Sequence, residues 1–415
     1  MIERKRLTSG ITLLLEQLPA VRTACFGCYV ASGSRHEPPE FAGASHFIEH
    51  MAFKGTATRT AAEIARAFDL LGGQSNAFTG KECTAYYAKT LDCHLPQAIE
   101  LIGDMLTDSL FDEGSVELER KVILEEINMY EDSPEDLVVD RLLERVYPAQ
   151  AVGREIMGSA ESLAALTGER LRAYKEAHYT AGNTVLAVSG RFDAEAVVDA
   201  CERAFASYPA GERTPPCPVP VYRRATMLQQ KEIEQNHLVL GFPGLSFNDE
   251  MNFDAAVGIN ILGAGMSSRL FQLLREELGL SYSVYSFSMP LCDSGFTGIY
   301  SAQNPGSERE AARTIASVVR DFARDGATEE ELIRAKEHFK INTLMAFESN
   351  YSRMAHMAKG ELLKGGILSV DETLERIDRV SLERVNALLP VLFDFDKLSV
   401  GVVGAPAEED FYAAL

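Results

Sequence analysis

The second half of this chain repeats the first. GERLRAYKEAHYTAGNTVLAVSG, ending at Gly190, pairs with LERVNALLPVLFDFDKLSVGVVG, ending at Gly404, and Glu169 and Glu383 keep the same shift of 214 residues. Leu118 in VELERK and Leu332 in EEELIRA keep it too. A repeat of this length predicts two domains of one architecture, and 415 residues are more than one ordinary domain holds. Five prolines between Pro209 and Arg224 mark the junction. The expected division is a first domain over 1–208, a linker over 209–226 and a second domain over 227–415. The same shift carries His46 to Asn260, Glu49 to Gly263, His50 to Ala264 and Glu126 to Lys340. The second copy therefore keeps the frame and loses the side chains that could hold a metal, and a lysine at a ligand position would repel a cation.

The first copy's distinctive stretch is His46-Phe47-Ile48-Glu49-His50. If GASHFIEHMAF is helical, His46 and His50 lie one turn apart on one face and can bind a single metal ion, with Glu49 beside them. Two neutral imidazoles can hold Zn²⁺ while a nearby carboxylate takes a proton from the attacking water. The bland alternative is a solvated or capped histidine pair. A zinc held only by His46 and His50 lacks a third protein ligand. In VELERKVILEEINMYED, Glu119, Val122, Ile123, Glu126 and Tyr130 recur at helical spacing on the stripe that should face the core. Buried carboxylates need a cation or hydrogen bonds, so Glu126 or Glu119 could complete the set. Glu125 falls off the stripe as a solvated residue. His36, in the polar loop GSRHEPP, is expected to be solvent-exposed, and His178 to be structural or exposed in a turn.

Residues 6–30 read as two strands and Thr60–Leu71 as a helix stopped by Gly72-Gly73, with a further helix over Pro96–Leu106. Asp112 or Ser115 caps the helix that follows. Gln74–Leu91 reads as a hairpin with its turn at Thr79-Gly80-Lys81. Its first strand, holding Asn76, Ala77 and Phe78, either pairs with a peptide as an added strand or belongs to an ordinary core hairpin.

The net charge of −21 argues against nucleic acid or an anionic membrane as the main partner and would attract basic or neutral peptides. No apolar run is long enough for a membrane span, and the N-terminus lacks the pattern of a secretory signal, so a cytoplasmic location is expected. Seven cysteines do not suggest a disulfide framework. Cys25 and Cys28 form a CxxC, but one set in a strand, with no second pair and no helix start to activate a thiol. Buried structural cysteines are expected there, and a thiol redox protein is the remote alternative.

Together HFIEHMAFKGT, SNAFTGKECTAYYAKTL, ERKVILEEI and LREELGLSYSVYS resemble the M16 (pitrilysin-type, inverzincin) metallopeptidases along nearly the whole chain, and the HxxEH order does so by itself. The resemblance is to half-length bacterial members related to the mitochondrial processing peptidase, rather than to the double-length insulin-degrading and pitrilysin enzymes. It implies a two-domain α+β fold of repeated α/β sandwich domains making half of a clamshell chamber. It further implies one Zn²⁺ per chain, held by His46, His50 and Glu126, the last with 75 residues between it and His50. Glu49 is then the general base and Glu119 the supporting carboxylate. Asn76, Ala77 and Phe78 form the substrate-pairing edge, and Arg275 and Tyr282 hold the substrate. Those two lie in the second domain, so a homodimer with composite active sites is expected to close the chamber around peptide substrates. The long glycine-rich loop of the processing peptidase's noncatalytic subunit is absent, which removes the implication of presequence processing. A noncatalytic subunit of the same fold is the nearer rival.

Overall fold

A computed structural model describes residues 2–415. The runs TLLLEQ and TACFGCYV are apolar at successive positions, so as strands they need cover on both faces. They are β2 (Thr12–Gln17) and β3 (Thr23–Val30). With β1 (Ile2–Arg6), β4 (Gln74–Thr79), β5 (Thr84–Leu91) and β6 (Thr184–Gly190) they form a sheet in the order β1-β2-β6-β3-β5-β4. On one face Leu13, Leu15, Phe26 and Cys28 pack with Phe47, Ile99, Ile102 and Leu171, which belong to the helices Ala44–Met51, Leu95–Thr107 and Gly168–His178. On the other, Leu14, Cys25, Tyr29 and Val185 pack with Met354, Met357 and Leu362 of the helix Asn350–Leu363. Arg353 of that helix reaches Glu16 on β2 at 2.6 Å.

The second sheet contains β7 (Thr226–Gln230), β8 (Asn236–Gly244), β9 (Ser281–Pro290), β10 (Gly295–Gln303) and β11 (Ser399–Gly404), in the order β7-β11-β8-β10-β9. This is the order β2-β6-β3-β5-β4 over again, with no counterpart of β1 among the described residues. The repeat is thus a shared topology, and both units are α+β, each a sheet between helical layers. One face of the second sheet packs Leu240, Phe242 and Val402 with Val257, Ile315 and Leu389. The other packs Val239, Tyr300 and Val403 with Leu137, Val138, Leu142 and Val146, from the helix Pro134–Val146.

The compact units are consequently not the contiguous halves expected from the proline-rich junction. One comprises the residues up to Ile127 with Arg154–Pro218 and Met345–Leu368, and the other Asn128–Gly153, Val219–Leu344 and Ser369–Leu415. Each half of the chain gives one helix to the sheet of the other. The physical reason is that a sheet apolar on both faces takes any well-shaped apolar helix, and nothing in a helix's own pattern names its sheet. Gly27 and Gly241, which hold the same place in β3 and β8, let these helices approach. A Cβ on Gly27 would stand 2.4 Å from Met354 Sδ, and one on Gly241 3.1 Å from Leu142 Cδ2. The segment 209–218 carries no helix or strand, but it packs on the first unit, where Thr214 N donates to Asn183 Oδ1 at 2.7 Å.

Cys25 and Cys28 lie on opposite faces of β3, both fully buried, so they cannot pair with each other. Burial pushes the Cys25 thiol up to about 12, only partly offset by Lys89. These are inert core thiols. Among the described residues no helix is long and apolar enough to cross a membrane.

Candidate metal centre

Phe47, Ile48 and Met51 turn the apolar side of the helix Ala44–Met51 into the core, which leaves His46, Glu49 and His50 on its half-buried side. The start of this short helix is held from outside. Glu37 Oε2 accepts from Gly43 N at 2.8 Å and Oε1 from Ser45 N at 2.7 Å, a carboxylate set at the positive end of the helix. Its neighbour His36 is half-buried, not solvent-exposed as expected, because its Nδ1 accepts from Gly33 N at 3.2 Å. Burial first, then Arg35, holds that imidazole down at about 4. His178 closes the helix Gly168–His178 and stacks on Tyr174, ring centres 3.9 Å apart.

Glu37 is 3% exposed, and burial raises its carboxyl to about 7 against the pull of its two backbone donors. The folded state therefore holds this proton more tightly than the unfolded chain, with its ordinary value of 4.5. The resulting stability is fully present below about pH 4.5 and is lost as pH rises through about 7. His46 works in the opposite sense, because burial, then the neighbouring His50, lowers it from 6.5 to about 4. Its contribution is lost as pH falls through that window. In the difference between wild type and Glu37→Gln the His46 term cancels, so wild type's advantage should shrink from acid to neutral pH by on the order of 3 kcal/mol. Urea unfolding of both proteins across this range checks it; a pH-independent difference would show that Glu37 does not titrate there.

The second helix, Glu113–Glu131, is capped by Asp112, whose Oδ1 accepts from Ser115 N at 3.0 Å. Its buried residues are Val116, Glu119 and Ile123. Val122, expected on that stripe, is turned out at 41% exposure, and Glu125 is exposed. Glu126 Oε2 stands 3.4 Å from His50 Nε2 and 3.9 Å from His46 Nε2. Glu119 does not join them: its Oε1 meets His50 Nδ1 at 3.0 Å, on the far side of that ring, and its Oε2 meets Lys54 Nζ at 2.7 Å. Of the two carboxylates left open by spacing alone, geometry thus brings Glu126 to the free imidazole nitrogens and puts Glu119 behind one of them.

One ligand atom each from His46, His50 and Glu126 lie within 4.8 Å of one another. Two imidazole nitrogens and a carboxylate oxygen suit zinc, and ~2 Å bonds would draw such a cluster together. Burial keeps His46 neutral near pH 7, the form in which an imidazole can be a ligand. The donor set fits.

Glu49 receives a hydrogen bond at Oε2 from Thr79 Oγ1, 2.5 Å away. Burial raises its carboxyl above its ordinary value, against that hydrogen bond. Thr79 is the last residue of β4, which pairs only with β5 and forms the sheet's edge. Alternation along β4 puts Ala77 and Thr79 on the Glu49 side, and Phe78 on the other, edge-on to Tyr29 at 6.1 Å. Asn76 is exposed, its Oδ1 accepting from Ala77 N at 2.9 Å. Thr79, Lys54 and Glu37 were not singled out from sequence: Thr79 and Lys54 meet carboxylates 30 and 65 residues away, and Glu37, though only six and eight residues from its partners, reaches them across a loop that matches no capping pattern.

In the second unit Asn260 faces His338, Nδ2 to Nδ1 3.2 Å. The matching helix, Glu329–Glu348, begins after Thr328 as Glu113–Glu131 begins after Asp112, two residues beyond the constant shift. The counterpart of Glu126 is therefore Asn342 rather than Lys340, which pairs with Asp378 and Glu337 instead. Arg275 and Tyr282 are brought together: the guanidinium lies 4.3 Å from the Tyr282 ring centre and Nη1 donates to Tyr282 O at 3.2 Å. Tyr282 is 75% exposed.

This fold and donor cluster define a class, and the comparisons agree. The family model for insulinase (peptidase family M16) matches residues 12–160, and that for the peptidase M16 inactive domain matches residues 165–339. The chain is 42% identical over 396 residues to YmxG of Bacillus subtilis, described as an uncharacterized zinc protease, covering 95% of this chain and 97% of that one. It is 35% identical over 381 residues to an uncharacterized zinc protease of Rickettsia felis, covering 92% of each. The chain belongs to peptidase family M16. In fold alone it resembles the crystal structure of a protease from Helicobacter pylori, with a TM-score of 0.89 at 20% identity over 97% of this chain and 99% of that one.

Proposed function

We propose that this protein is a zinc-dependent endopeptidase, with His46, His50 and Glu126 holding one Zn²⁺ per chain and Glu49 as general base. The observation that carries this reading is the convergence of three zinc-type donors, two imidazoles and one carboxylate, from two helices, with a further carboxylate, Glu49, on the histidines' own helix and outside the donor cluster. When bound, Zn²⁺ supplies Lewis-acid polarisation of a carbonyl and lowers the pKa of water. The chain supplies the rest. Thr79 Oγ1 donates to Glu49 Oε2 and so leaves Oε1 to take a proton from the attacking water and return it to the leaving amine. The outward-facing backbone groups of β4 in the stretch Asn76–Phe78 would pair with an extended peptide, which would take the place of Asn76 Oδ1 at Ala77 N, and Thr79 ties that strand to the base. Peptide hydrolysis that stops on chelation and returns with zinc, read by mass spectrometry on a peptide mixture, is the expected result. Zinc-independent cleavage, or none from zinc-loaded protein, would refute the reading and favour a noncatalytic subunit.

The same reading places the protein among the half-length members related to the processing peptidase, acting on basic or neutral peptides rather than nucleic acid. The free thiols suit the cytoplasm. A homodimer would complete a chamber, with Arg275 and Tyr282 of one chain serving the zinc site of the other; their stacked placement, Tyr282 exposed and Arg275 half-buried, suits a clamp on a peptide. Mixing inactive Glu49→Gln with inactive Arg275→Ala/Tyr282→Phe protein should restore part of the activity once subunits exchange. Demonstrated exchange without activity would sink the shared site.

A further inference from the structure

We propose that Lys54 is a positioning residue of the metal centre: through Glu119 it sets which nitrogen of His50 carries hydrogen and where that ring's lone pair points. The inference rests on the reading of His46, His50 and Glu126 as the zinc donors. Glu119 is 2% exposed, and a carboxylate at that depth needs partners for its charge. Each oxygen has a neighbour: the Lys54 ammonium stands 2.7 Å from Oε2 as an ion pair, without the alignment of a hydrogen bond, and His50 Nδ1 stands 3.0 Å from Oε1. An ionised carboxylate only accepts, so Nδ1 bears the hydrogen. Nε2 is then the lone-pair nitrogen, and it is the one 3.4 Å from Glu126 Oε2. Lys54 follows His50 by one turn, in the bend that closes the helix, where Lys54 N donates to Met51 O at 3.1 Å. Without its ammonium Glu119 would be one partner short and free to swing its carboxylate off His50. His46 has no such support, since its buried Nδ1 has no hydrogen-bond partner among the described residues. The centre's orientation therefore depends on the one ring that is held.

The second unit serves as an internal control. Its two helices form the same frame, yet His50, Glu119 and Lys54 are replaced there by Ala264, Ala335 and Ser268. Ala264 and Ala335 line an open cleft of about 410 Å³, and Ser268 Oγ only donates to the nearby Gly265 O at 2.8 Å. The helix pair thus forms without this ion pair. All three side chains are missing in the copy that lacks the metal donors, so the Lys54–Glu119 pair serves those donors rather than the frame.

The test compares wild type, Lys54→Met and Lys54→Arg for zinc affinity by chelator competition, and for the His50 tautomer by ¹⁵N NMR of the metal-free protein. Lys54→Met should weaken zinc by ~10–100-fold, the range for loss of an outer partner of a ligand histidine, and reduce the Nδ1–H form of His50. Lys54→Arg should recover most of both. Lys54 is one-third exposed, so the fold should survive, and thermal melts confirm it. An unchanged tautomer and unchanged affinity in Lys54→Met would overturn the proposal, as would an equal loss in Lys54→Arg. Failure of wild type to bind zinc would instead overturn the donor assignment, while the tautomer measurement would still decide the role of Lys54.

Discussion

Glu49→Gln protein is expected to keep its zinc and lose peptide cleavage by ~10²–10⁴-fold, the usual worth of a positioned general base. The amide preserves the shape of the side chain and can still accept from Thr79 Oγ1, 2.5 Å away in the wild type, but it cannot take a proton from water. Glu49 is separate from the donors that cluster around His50 Nε2, so its loss should leave metal content unchanged. The pairing of full zinc with absent turnover is what distinguishes a base from a ligand or a structural residue. Near wild-type turnover in zinc-loaded Glu49→Gln protein would remove Glu49 from that role.

The second large effect is expected at Glu126. Glu126→Gln should lose zinc affinity by more than the ~10–100-fold typical of an outer partner, while Glu125→Gln stays close to wild type. The two residues are adjacent and chemically identical, but Glu126 Oε2 lies within 4 Å of both Nε2 atoms and Glu125, turned about 100° away around the helix, is exposed. An amide oxygen is a weaker zinc ligand than a carboxylate and carries no charge to offset the ion's. Metal analysis of both variants after dialysis against a weak chelator checks it, and equal zinc content would mean that Glu126 is not the third ligand.

Much of the candidate centre is legible in the order of residues because its main part is local. His46, Glu49 and His50 share one short helix, where a spacing of four residues sets the geometry within one turn. The third ligand is harder. Helical periodicity leaves Glu119 and Glu126 both open, and it misplaces Val122, because the exposure of a partly polar stripe depends on what packs across it. Only the approach of the second helix to the first decides that Glu126 meets the Nε2 atoms and Glu119 the Nδ1 of His50. A constant shift likewise misaligns Lys340 with Glu126, since two extra residues in the second copy are invisible until both helix starts are seen.

Residue order is enough to show two copies of one α+β architecture, to show that the HxxEH pattern stands only in the first, and to pick out the helix that carries most of the candidate donors. Each of these follows from patterns of short range or from direct repetition. Tertiary packing was needed to settle the exchange of the helices Pro134–Val146 and Asn350–Leu363 between the two sheets, the capping of the helix Ala44–Met51 by Glu37 and the contacts of Glu119 with His50 and Lys54. Most of these are contacts between segments distant in the chain. Apolar burial is non-directional, so an apolar helix face fits either sheet equally well on paper. A buried charge finds its partner only when the fold has brought the two within a few ångströms.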